Sequence, residues 1–286
     1  MIIYKKFKFD FYFRVFISKI KMTSLVEQMC AQNNLYYLKN NKFSNNELSE
    51  ECCEHAARNN SFEMIEFLRS QFPPCPWNKS ACLAACAKNN LEMLLLLRKE
   101  EKYIKPCPWD ESCCLEAVKN KNKEMLKFLR EGNNPCPWDA SCCKEACEAN
   151  DLEMLLFLRK EMNPPCPIDF YSYIAAIDNN NRKILEFLKS ENCEWYENCF
   201  DEAIHMNDLE MVGFFCSQIK DENDENFKIF SNDNHCREAV NNNNLEMLQF
   251  LRQHNPLFAW DRKKCLDICI YQCNKKIEEW IMSQDE

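Results

Sequence analysis

The string Cys-Pro-Trp-Asp recurs, at Cys107–Asp110 and Cys136–Asp139, and each copy is followed at a nearly fixed distance by Glu-Met-Leu-x-Phe-Leu-Arg, ending at Arg130 and Arg159. The period extends beyond these two copies. A small residue stands eight positions before a Met or Ile in Ala56/Met64, Ala85/Met93, Ala117/Met125, Ala146/Met154, Ala176/Ile184, Ala203/Met211, Ala239/Met247 and Cys269/Ile277. A degraded ninth pair is Met29/Tyr37. Successive small residues lie 27 to 36 positions apart while the eight-residue offset never changes. Rigid segments therefore alternate with connections that absorb the length differences. A chain of such repeats folds as a solenoid, each repeat burying its apolar face against its neighbours. Counting from Ala56/Met64, the repeats are numbered 1 to 8.

Within a repeat the residues specify two short helices. Pro137 suits a turn and not a helix interior, so the first helix begins after it, capped by Asp139 or Ser141, with a body from Cys142 to Glu148. Asn150-Asp151 breaks the chain and caps a second helix over Leu152–Lys160. That segment is apolar nearly all round, as expected of a helix sandwiched between neighbours. Arg159 and Lys160 close it, where positive charge suits the helix dipole. Helices of about nine residues are marginal alone in water, so stacking must hold them.

The pattern resembles the ankyrin repeat. Asp110-Glu111-Ser112-Cys113-Cys114-Leu115-Glu116-Ala117 is similar to the family segment Asp-x-x-Gly-x-Thr-Pro-Leu-His-x-Ala, with Cys114 at the core Leu and Leu115 at the His. Lys123–Leu129 is similar to the second helix. The likeness covers about residues 23–282, and the Cys-Pro-Trp-Asp connection is closest to a variant known from long arrays in protists and large DNA viruses. It implies an all-α fold: an α-solenoid of stacked helix-turn-helix repeats, with inter-repeat loops shorter than the family's 33-residue period allows and a truncated hairpin finger. Asn pairs (Asn59-Asn60, Asn89-Asn90, Asn179-Asn180) replace the family's turn glycine, since Asn tolerates the left-handed region. The wider abundance of Asn reads as the base composition of the gene rather than as function.

Composition bounds the rest. Of 21 cysteines, many fall at core repeat positions (Cys82, Cys114, Cys143, Cys236), and the odd total and adjacent pairs argue for reduced thiols in the cytoplasm or nucleus, or a host cytoplasm if the chain is viral. No run reaches the 18 or so apolar residues of a membrane span. Residues 1–21 carry a net +5 against −9 for the chain, so the remainder is −14, which disfavours nucleic acid as a partner. The basic, Phe-alternating residues 1–21 form an extension outside the repeats, disordered or not native, with the array at 22–286 and an acidic insertion at 217–234.

Chemistry-bearing motifs are thin. The i, i+4 thiol pairs Cys82/Cys86 and Cys143/Cys147 lack converging partners, and the four His form no His-Glu-x-x-His motif. No metal, cofactor or catalytic residue is assigned. With glycine only at positions 132 and 213, the chain holds no phosphate-cradling loop. The candidate partner-binding residues are the aromatic and acidic side chains of the connections: Trp77, Trp109, Asp110, Trp138, Asp139, Trp260 and Asp261. Phe170 and Tyr171 join them from the irregular repeat 5, where Tyr173 takes the core Cys position. Trp195 belongs to the same series, and an indole at each junction serves equally well to seal stacked repeats. The resulting expectation is a non-enzymatic, monomeric scaffold binding another protein through its concave face and inter-repeat loops. The alternatives are an adaptor recruiting targets to a larger complex such as a ubiquitin ligase, or a thiol-based metal or redox sensor.

Overall fold

The computed structural model describes residues 24–100 and 105–284, so the basic extension at 1–21 lies outside the described residues. Among these residues every regular element is helical and none is a strand. No helix among them is long and apolar enough to cross a membrane. The chain divides into two compact bodies between Trp138 and Asp139.

The first body holds the degraded repeat and repeats 1–3 as four helix pairs: α1 (Leu25–Ala31) and α2 (Leu35–Asn40), α3 (Glu50–Arg58) and α4 (Phe62–Arg69), α5 (Lys79–Ala87) and α6 (Leu91–Arg98), α7 (Glu111–Lys119) and α8 (Lys123–Arg130). The second body holds repeats 4–8. Repeat 4 is α9 (Ser141–Glu148) with α10 (Leu152–Leu156), which continues as a π-helical turn over Phe157–Glu161. Next come α11 (Tyr171–Asp178) and α12 (Arg182–Ser190), then α13 (Glu197–His205) and α14 (Leu209–Gln218). Last are α15 (Asn234–Asn241) and α16 (Leu245–Gln253), then α17 (Arg262–Gln272) and α18 (Lys275–Met282). In each body the first helix of a pair packs on its own second helix and on the first helix of the next pair.

Three consecutive seats explain the turn inside each pair. The residue ending the first helix is followed by one in the left-handed region, at Asn33, Asn60, Asn89, Lys121, Asn150, Asn180, Asn207, Asn243 and Cys273. The third seat caps the second helix. Asn90 accepts from the Met93 N–H at 2.9 Å, Asp151 from Met154 at 2.9 Å and Asn244 from Met247 at 2.9 Å. Asn is selected here because its amide also reaches the neighbouring repeat. Asn90 Nδ2 donates to Asn60 Oδ1 at 3.1 Å, Asn122 to Asn89 at 2.7 Å and Asn244 to Asn207 at 3.1 Å. Asn59, in the first seat, donates to the Cys30 and Ala31 carbonyls that end α1, at 3.1 and 3.0 Å. Asn179 does the same for Cys147 and Glu148. Carbonyls left over at a helix end are thus satisfied by the next repeat. Asn at these turn seats therefore has a structural role.

The second helices bury a stripe rather than their whole circumference. Met93, Leu94 and Leu97 are fully buried, as are Met125, Leu126 and Leu129, whereas Leu95 and Leu156 face outward at 46% and 38% exposure. The expectation of burial all round fails because each second helix is covered on one side only.

Candidate functional site

The Cys-Pro-Trp connection is built around its cysteine. In Cys107 the backbone N–H donates to Leu97 O at 2.9 Å, and the thiol donates to Asn78 O at 3.1 Å, at the start of the preceding repeat. The carbonyl accepts from Arg98 Nη1 at 2.5 Å. Cys136 repeats the pattern with Leu129, Asp110 and Arg130, and Cys75 with Leu68, Ser49 and Arg69. The arginine ending each second helix then lies under the indole two residues on. Arg69 is 3.7 Å from the Trp77 ring centre, Arg98 is 3.6 Å from Trp109, Arg130 is 4.2 Å from Trp138 and Arg252 is 4.6 Å from Trp260. Proline fits between Cys and Trp because no backbone N–H is needed there.

These contacts redefine most of the expected docking residues. Trp77, Trp109, Trp138 and Trp260 are half-buried, each with one face against its own arginine. Asp110 caps α7 by accepting from the Ser112 N–H at 3.2 Å and pairs with Lys79 at 2.6 Å. Asp139 accepts from the Ser141 N–H at 2.9 Å. Asp261 accepts from the Lys264 N–H at 3.0 Å, and that bond first, with the Lys264 ammonium, holds its carboxyl below the usual range. The terminal arginines do more than answer a helix dipole. They brace the connection that follows.

Phe170 and Tyr171 are placed differently. Repeat 5 begins Cys166-Pro167-Ile168 with no indole, and Arg159 keeps the Cys166 carbonyl through Nη1 at 2.6 Å while Glu191 takes Nε at 2.9 Å and Nη2 at 2.6 Å. Phe170 stacks on Tyr171 at 4.1 Å between ring centres, and Tyr196 meets Phe170 edge-on at 5.1 Å. Tyr171 is 48% and Tyr196 38% exposed, so the three rings present a contiguous aromatic surface in the second body. Tyr196 escaped the sequence reading. Its signal is Trp195-Tyr196 in place of Trp-Asp, preceded by Lys189 where repeats 1–4 and 7 end in Arg. With no arginine under it, Trp195 sinks to 9% exposure against Phe215, 4.5 Å away.

Carboxylates border this surface. Tyr196 Oη lies 3.3 Å from Glu194 Oε2, and Glu194 first, then slight burial, with Glu225 adding to them, holds the phenol above its usual range. Glu225 arrives with the acidic insertion, which is pinned where the buried Asn226 donates to Trp195 O at 3.3 Å. Beyond that pin the insertion is not a solvated loop. A short helical turn at Phe227–Ser231 buries Ile229 and Phe230.

Glu197, Asp201 and His235 each bring one ligand atom within 4.8 Å of the others, and they are the only such group among the described residues. His235 is buried with Nε2 at 2.8 Å from Asp201 Oδ1. Glu197 is already taken by Lys228 at 3.2 Å and Asn232 at 3.1 Å. His235 Nδ1 has no hydrogen-bond partner, so the outer acceptor that orients a ligating imidazole is missing. This geometry serves a packed His–carboxylate pair better than a metal centre.

Among the described residues no disulfide forms, and every cysteine but Cys273 is buried. Cys136 is held far above the ordinary thiol range by Cys113 and Cys114 and by burial, and burial pushes Cys216 and Cys236 up to about 12. Cys52 is pulled down instead by its thiol neighbours Cys30 and Cys75, yet it is fully buried and beyond the reach of a substrate. No family model matches the chain, and no curated protein matches it either.

Proposed function

We propose that this chain is a non-enzymatic protein-interaction scaffold, an α-solenoid of ankyrin-like repeats that binds a partner protein through the inter-repeat loops of its second body. The observation that carries this reading is the exposed cluster Phe170–Tyr171–Tyr196, set on helix starts that are fixed by the repeat core. A rigid platform loses little conformational entropy on binding, and aromatic anchors contribute most of the affinity of such surfaces. The repeat-periodic, buried thiols support residence in a reducing compartment, where small buried Cys side chains persist.

The test is affinity capture from native lysate with the intact chain and with Phe170→Ala/Tyr171→Ala, whose helicity is checked by circular dichroism. A partner held by the intact chain and lost from the variant is the expected result. Equal recovery by both would place the binding surface elsewhere.

A further inference from the structure

We infer that the Phe170–Tyr171–Tyr196 surface is a docking site for a basic linear segment, an Arg- or Lys-bearing peptide of the partner, with the cations lying on the tyrosine faces and paired to the bordering carboxylates. This inference rests on the scaffold reading and names the chemistry of the partner. Two features that are far apart in sequence meet here. The three rings come from the starts of α11 and α13. The acidic insertion is held beside them by the Asn226 bond to Trp195 O, next to Tyr196. Glu194, Asp221, Glu222 and Glu225 are exposed, and no Lys or Arg among the described residues pairs with them.

Two consequences follow from electrostatics. Carboxylates with no ion-pair partner, on a chain of net charge −9, set up a negative field, which draws in positive segments and repels acidic ones. At four repeat junctions the indole, of Trp77, Trp109, Trp138 or Trp260, is covered by an arginine of its own chain. At repeat 5 the position is reversed. Arg159 keeps the Cys166 carbonyl through Nη1 at 2.6 Å but turns Nε and Nη2 to Glu191, and among the described residues no guanidinium lies over the exposed rings. A guanidinium supplied in trans would make, at the exposed tyrosine faces, the kind of contact that the indoles of the regular repeats make with an arginine of the chain itself.

The experiment is a fluorescence-anisotropy titration of the full chain with a short fluorescein-labelled peptide of alternating Arg and Ser, run beside the same peptide with Gln for Arg. The expected result is saturable binding of the Arg peptide, weakened by salt, and no binding of the Gln peptide. Tyr171→Ala/Tyr196→Ala should weaken it about tenfold, two lost cation–π contacts. Glu194→Gln/Glu225→Gln should weaken it by a similar factor and flatten the salt dependence. The control Glu63→Gln/Glu92→Gln makes the same change in net charge at exposed sites of the first body and should shift the affinity less than about twofold, as expected of remote screened charges. Equal losses in the control and the site variants would mean bulk charge only and would overturn the inference, as would no binding, or binding indifferent to the tyrosines. A partner captured by the intact chain and lost from Phe170→Ala/Tyr171→Ala, but not displaced by the Arg peptide, would leave the scaffold reading standing and remove this one.

Discussion

The two bodies fill one helix-pair template with different chemistry. Among the described residues of the first body the buried core is aliphatic and thiol, and no aromatic side chain is fully enclosed. Its first helices place Cys52-Cys53, Ala81-Cys82 and Cys113-Cys114 against the loop cysteines Cys75, Cys107 and Cys136, and the rings stay at the rim under arginine. In the second body Phe157, Tyr173, Trp195, Phe200, Phe215, Phe230 and Phe258 are all buried. Tyr173 takes a first-helix Cys seat, and Phe258 takes the loop Cys seat, keeping the bonds to Leu251 O and from Arg252. The backbone contacts of the seat are therefore indifferent to what fills it. Volume is exchanged between core and rim, and where a ring moves inward the rim is left with different partners. The exposed aromatic surface of repeat 5 is one product of that exchange.

Core substitution should separate the bodies most sharply. Phe215 touches Tyr173 and Trp195, at 5.7 and 4.5 Å between ring centres, so Phe215→Ala should cost about 3–5 kcal/mol of unfolding free energy. Cys113→Ala removes one sulfur from a crowded seat and should cost on the order of 1 kcal/mol. Urea denaturation of both variants decides the point. Equal losses would mean that the thiol contacts, and not volume, govern the first body. The rim comes next. Arg98→Ala removes the guanidinium from the Trp109 face and strands the Cys107 carbonyl, for a loss of about 2–3 kcal/mol. Arg98→Lys should recover little, because an ammonium cannot lie flat on the indole and reach the carbonyl together. Full recovery by Lys would show that charge alone holds the loop.

Much of this was legible before any coordinates. The fixed eight-residue offset locates the two helices of each repeat, and breaks such as Asn150-Asp151 locate the turn and the cap. What periodicity could not convey is the identity of contacts across the loop. Arg98 and Cys107 are nine residues apart, and nothing in their spacing says that a guanidinium will meet both a carbonyl and an indole. The docking residues show the same limit. Trp and Asp of the repeated string suit either an outward edge or a seal between repeats, and in the structure they cap a helix and stack on the arginine that ends the preceding repeat. The exposed surface lies where the repeat is broken, and Glu225 reaches it only through the fold of an insertion that has no counterpart in the other repeats.

A pH dependence sharpens the same contrast between rims. Burial pushes the Glu191 carboxyl up, but Lys160 and then Arg159 outweigh it and hold it below its usual value of 4.5. A depressed carboxylate stabilises the fold fully above the ordinary range, and that contribution disappears as pH falls through the depressed value. Glu191→Gln should therefore lower Tm at neutral pH and converge with the parent in acid. The penalty of Arg98→Ala, whose partners are an indole and a carbonyl, should stay level across the same range. A penalty for Glu191→Gln that does not shrink in acid would assign the residue a packing role.

The smallest effect belongs to the turn. Seven of the nine left-handed turn seats between paired helices hold Asn, and the first body departs from this at Lys121, with φ of 55°. A Cβ-bearing residue other than Asn or Asp costs about 1–2 kcal/mol in that region, and Asn relieves part of this through its short polar side chain. Lys121→Asn should therefore stabilise the protein by about 0.5 kcal/mol, as a small upward shift of the urea midpoint at unchanged slope. Lys121→Gly is the companion variant, because it removes the Cβ clash altogether but loosens the unfolded chain. If Asn raises the midpoint and Gly does not, backbone entropy offsets the relief of strain and the turn itself is sound. If both lower it, the Lys121 side chain contributes more than its conformation costs, and the exception is then a contact selected at this repeat and not a tolerated irregularity.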